Sequence, residues 1–152
     1  MNLISRLFRP YGRKVNLLTS EQLLKCIMDQ LPGADTPSHI IRDTEWACVP
    51  IDEIRSMLEA GRWKDPRRDG EMPDCDDFAE YGAVDVKREW EAGTRCRKPL
   101  ALGYIWIRRA SSQKTHWTDW TIDHAGKLWL LEMEDNSIRT LEDVEEVYFV
   151  QA

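Results

Sequence analysis

The chain has 152 residues, 42% hydrophobic and 32% charged, which suits one globular domain with a real core and excludes a low-complexity disordered chain. No apolar run approaches the roughly 20 residues of a membrane helix. Acidic residues number 27 against 21 basic ones, a net charge of −6, so no global attraction for nucleic acid is expected.

The first 15 residues carry Arg6, Arg9, Arg13 and Lys14 and no acid. Leu3, Ile4, Leu7 and Phe8 lie at helical spacing before Pro10, and three readings stand for this basic arm, residues 1–18: an amphipathic turn on the domain, a membrane-surface or transit-like segment, or a contact arm. The remainder, residues 19–152, reads as a single domain. Thr19 and Gln22 form a capping-box pattern ahead of the apolar stripe Leu23, Leu24, Ile27, Met28 and Leu31, which predicts a helix. Residues 38–49 mix β-branched and aromatic types and predict an extended segment, after which Pro50 opens a second helix carrying Ile51, Ile54 and Leu58. Residues 62–72, rich in charge, Pro and Gly, predict an exposed loop. A third helix follows, with Asp74 as N-cap, Phe78, Ala79, Gly82, Ala83, Val86 and Trp90 as its buried stripe, and Gly93 as its stop. Residues 100–107, 116–122, 127–132 and 144–150 read as strands. Helices first and strands later predict an α+β fold.

The four cysteines, Cys26, Cys48, Cys75 and Cys96, form no CxxC pair, which disfavours structural zinc, and without a secretory signal they are expected to be free thiols. Cys26 sits beside an apolar stripe and reads as a core residue. Cys75 falls in the first turn of the third helix, where unpaired N–H groups and the helix dipole stabilise a thiolate. Asp74, Asp76 and Asp77 oppose that effect, so position alone leaves its activation open. A cysteine nucleophile needs an imidazole base and a group to hold it. Of the three histidines, His39 reads as a surface or edge residue and His124 as a turn residue, whereas His116 opens a strand. If that strand forms a hairpin through the DHAG turn, an odd loop sets His116 opposite Glu132, or opposite Glu134 with Glu132 on the diagonal. An even loop puts both acids on the other face.

The motifs DCDDFA and HWTDWTIDHAGKLWLLEME resemble the papain-like cysteine hydrolase domain found at the C-terminus of certain mushroom agglutinins and in small bacteriophage and bacterial proteins, over residues 40–138. The family's DCDDFA, HA-N and LIEPQ motifs match in order, while Trp117, Asp119 and LLEME depart from it and alter the walls of the site. The resemblance implies a papain-like α+β fold, with N-terminal helices and a central nucleophile helix packed on a C-terminal antiparallel sheet. It also implies hydrolysis of peptide or isopeptide bonds by Cys75 as nucleophile, His116 as base and Glu132 as the orienting acid. A protein or peptide substrate, no nucleic acid and no cofactor would follow, as would a place in the bacterial cytoplasm or the virion. Consecutive Asp76 and Asp77 leave calcium as an option beside a plain helix-dipole role. The alternative function is a non-catalytic binding or virion-associated module on the same scaffold, using the basic arm and exposed tryptophans. Seven tryptophans are present, most of them expected in the core, with Trp63 and Trp117 as candidates for exposure.

Overall fold

The computed structural model describes residues 14–31, 44–60, 75–108, 114–141 and 146–151. Asp74, His39, Trp63, the 62–72 loop and most of the basic arm lie outside these residues.

The described chain begins with β1 (Asn16–Thr19), followed by α1 (Ser20–Gln30), β2 (Glu45–Cys48), α2 (Ile51–Ala60) and α3 (Cys75–Gly93). Five strands complete it: β3 (Leu102–Arg108), β4 (Thr115–Ile122), β5 (Leu128–Glu132), β6 (Ser137–Arg139) and β7 (Glu146–Gln151). The capping box forms as its residues dictate. Thr19 Oγ1 accepts from the Gln22 N–H at 3.2 Å, and Gln22 Oε1 accepts from the Thr19 N–H at 2.9 Å, which satisfies two otherwise orphan donors. Pro50 stands just before α2, its carbonyl accepting from the Glu53 N–H at 2.9 Å.

Strands β6-β5-β4-β3-β7 form one antiparallel sheet, and β1-β2 form a second. Side-chain alternation gives the large sheet two faces. On one, Leu102, Leu131 and Met133 pack with Ala83, Val86 and Trp90 of α3 and Ile54, Met57 and Leu58 of α2. On the other, Ile105, Ile107, Trp120, Ile122, Leu128 and Leu130 pack with Leu23 and Ile27 of α1. Gln30 ties α1 to the β4-β5 turn, donating to the Gly126 carbonyl at 2.9 Å and accepting from the Leu128 N–H at 2.8 Å. Asp123 shapes that turn by accepting from the N–H groups of Ala125 and Lys127, while Gly126 takes the positive φ of 82° that its missing Cβ permits.

The papain-like architecture expected from the sequence is corrected. Helices do not precede strands: β1 comes before α1, and β2 lies between α1 and α2. Three helices and seven strands, arranged in two antiparallel sheets, make up the described elements. The physical reason lies in β2, where Trp46, Ala47 and Cys48 are all buried and so require cover on both faces. Pairing with β1 and a parallel bridge from Ala47 to Leu100 supply their backbone partners. Among the described residues, no helix is long and apolar enough to cross a membrane.

Candidate functional site

Strand β4 begins the site. His116 and Glu132 lie on its second face, the one that α1 covers further along, and their side chains meet at 2.7 Å between Nε2 and Oε2. Each residue is only 7% exposed. The hairpin loop is odd, with Asp119 facing Leu131 and Ile122 facing Leu128, so the ladder projects His116 toward Glu134 and puts Glu132 on the diagonal. Burial decides between the acids, since Glu134 is exposed. The second oxygen of Glu132 accepts from Arg139 Nε at 2.9 Å. Burial pushes the Glu132 carboxyl up, but the hydrogen bonds and positive charge of His116 and then Arg139 outweigh it and hold the group at about 2.

Cys75 is the first residue of α3 and is half-buried. The direction of α3 follows from two packing contacts. Trp90, near its end, donates its indole N–H to the Lys98 carbonyl at 3.0 Å and packs with Leu100 and Leu102, and Leu102 pairs with Thr121 at the far end of β4. Gly82, nearer its start, lies so close to Met133 that an added Cβ would stand 2.5 Å from that side chain. The helix therefore runs with its N-terminus toward the His116 end of β4. Seven residues separate Gly82 from Cys75, about 10 Å of helix. The structure thus joins His116 to Glu132 and sets Cys75 at the same end of the sheet, in the layer against the opposite face.

Two features of this end were not legible in the sequence. Trp117 projects to the α3 face and stacks on Trp106, its cross-strand partner, with ring centroids 5.8 Å apart and planes 8° from parallel. Both rings are half-buried. The pairing depends on the β3-β4 register, which no motif announces. Arg139 comes from β6, a three-residue strand too short to produce a periodic signal. The only clue was the Asp135-Asn136 pair, a turn signal, with Asn136 at a φ of 62°. Asp119, between these residues, is fully buried, and among the described residues neither carboxylate oxygen has a hydrogen-bond partner. Burial pushes it well above the usual carboxylate range, with Lys87 opposing and Glu132 reinforcing the shift.

The remaining candidates fall elsewhere. His124 is exposed in the turn. Cys48 is fully buried, and burial pushes its thiol up to about 12, which makes it an inert core group. Among the described residues no group of three or more His, Cys, Asp or Glu side chains is arranged to hold a metal.

The fold is similar to that of a fungal lectin chain. Two solved structures of Polyporus squamosus lectin share the fold at 16% sequence identity. One, the "PSL1a-E64 complex", has a TM-score of 0.72 and covers 90% of this chain and 50% of that one. The other, the lectin bound to the human-type influenza-binding epitope Neu5Aca2-6Galb1-4GlcNAc, has a TM-score of 0.68, covering 90% and 49%. This chain therefore spans about half the length of the lectin chains it matches. No family model and no curated protein matches the sequence. The likeness is to a lectin, so the identification with a papain-like cysteine hydrolase is corrected, and with it the expectation of a thiol protease cleaving peptide or isopeptide bonds.

Proposed function

We propose that this chain is a non-catalytic binding module whose ligand is a glycan. The observation that carries the reading is the half-buried Trp106-Trp117 stack at the sheet end. Aromatic faces and edges offer large, rigid contact area, and a few fixed polar groups beside them supply orientation, the usual composition of a small-molecule site. His116, Glu132 and Arg139, locked to one another by two short hydrogen bonds, lie on the opposite face of the same strands and hold this end of the sheet rigid behind the stack. The likeness to lectin chains over half their length supports sugar as the ligand class.

The test is a titration of the full chain on an array of immobilised glycans, repeated with Trp117→Ala and Cys75→Ala. Binding should fall at least about tenfold in Trp117→Ala, the loss expected when one aromatic contact of about 1.4 kcal/mol is removed. It should be unchanged in Cys75→Ala, and the bound ligand should be recovered intact. No binding to any glycan, or conversion of a bound ligand that Cys75→Ala abolishes, would overturn the reading.

A further inference from the structure

A cavity of about 630 Å³ lies at the C-terminal end of α3. Its walls come from the last turns of the helix and the segment that leads to β3. Trp90 and Leu100, each 1% exposed, back the cavity, and the apolar surface open to it comes from half-buried Pro99 and Cys96. The rim is cationic. Among the described residues, Lys87, Arg95, Arg97 and Lys98 line the cavity against one carboxylate, Glu91, in a chain whose net charge is −6. Lys98 also pairs with Glu45 at 2.5 Å, so the two guanidinium groups, both exposed, carry the charge argument.

The cavity wall is fixed in place. The Trp90 indole N–H bonds the Lys98 carbonyl at 3.0 Å, and Thr94 Oγ1 accepts from the Cys96 N–H at 3.0 Å. Pro99 accepts from the Ala47 N–H at 2.7 Å, anchoring the segment to β2. A preformed wall lowers the ordering cost of binding. Cations after a helix C-terminus also complement the helix dipole, but that role needs no cavity.

We infer that this cavity is a binding site for a small organic anion, a phosphate or sulfate ester on a flat apolar body. Guanidinium forks match tetrahedral oxyanions through paired N–H donors. The volume falls within the roughly 300 to 1,000 Å³ of small-ligand pockets, well above what an inorganic ion occupies. The site is separate from the sheet end proposed to bind glycan, so either can fail without the other.

Cys96 lines the cavity and is half-buried, which provides a local reporter. The full chain is treated with iodoacetamide and alkylation of Cys96 is followed by peptide mass spectrometry, with Cys75 as internal reference. Phenyl phosphate, phenyl sulfate, phenol and inorganic phosphate are the probes, and thermal melting is recorded in parallel. Phenyl phosphate or phenyl sulfate should slow Cys96 alkylation severalfold and raise the melting temperature. Added salt should weaken both effects, because the charged rim is solvent-exposed. The Arg95→Ala/Arg97→Ala variant, still folded by circular dichroism, should need at least about tenfold more ester for the same protection, as expected for lost charge-assisted bonds. Equal protection by phenol, equal protection by inorganic phosphate, protection retained in the double variant, or no effect of any probe on alkylation and melting would overturn the assignment.

Discussion

Glu132 sets one pH limit of the molecule. Its carboxyl lies at about 2 in the folded chain, below the ordinary 4.5. The folded state therefore holds the ionised form more tightly than the unfolded state does. That stabilisation is complete above about pH 4.5 and is lost as pH falls through the folded value near 2, a contribution on the order of 2 kcal/mol after allowance for screening. Glu132→Gln should flatten the acid limb of a stability profile from urea titrations, and an unchanged limb would show that the pair with His116 contributes nothing. Asp119 sets the opposite dependence. Its folded pKa lies well above 3.8, so the native chain keeps a proton that the unfolded chain releases, and stability declines as pH rises from about 4 until the folded group also ionises. Asp119→Asn should melt higher than the parent at neutral pH, with the difference shrinking toward pH 4. A lower melting temperature throughout would mean that the carboxyl is held by a partner after all.

Helix α3 depends on what it does not carry. At Gly82 the backbone approaches Met133 so closely that a Cβ would stand 2.5 Å from both Cγ and Sδ of a side chain only 2% exposed. Alanine would gain about 1 kcal/mol in helix propensity, yet it forces a buried methionine to repack, costing about 1 to 3 kcal/mol. Gly82→Ala should therefore be destabilising in a denaturant titration, and a stabilised variant would show that Met133 moves freely. The helical elements were legible because their apolar stripes, Leu23 with Ile27 and Ala83 with Val86 and Trp90, repeat at helical spacing and their starts carry local signals. Buried Gly82 and Val86 agree with the expected stripe, while Phe78 is only half-buried. Four strands of the large sheet were also legible from composition. Strands β1 and β6 were missed because four and three residues give alternation too little length.

At the scale of the whole molecule, the motifs named His116 and Glu132, whose side chains meet at 2.7 Å, while the solved structures that share the fold are those of a lectin. His116 and Glu132 do meet, since parity and an odd loop constrain them, but a short motif reports local spacing and not what the surrounding chain is built for. The Trp106-Trp117 stack and the cationic cavity were both invisible in sequence. Each assembles residues from segments whose relative placement only the tertiary structure supplies.

Ala47 gives its N–H to Pro99 at 2.7 Å and its carbonyl to the N–H of Ala101 at 2.9 Å, and the second amide leads directly into β3. The small sheet and the large one are thereby threaded on a single residue that is itself fully buried, and neither can open at this point without breaking bonds to the other. Such a junction makes the two sheets one cooperative unit. The amides of Ala47 and Ala101 should exchange with deuterium at a common, slowest rate, governed by global unfolding. Faster exchange at Ala47 alone would mean that the small sheet can detach while the rest of the molecule stays folded.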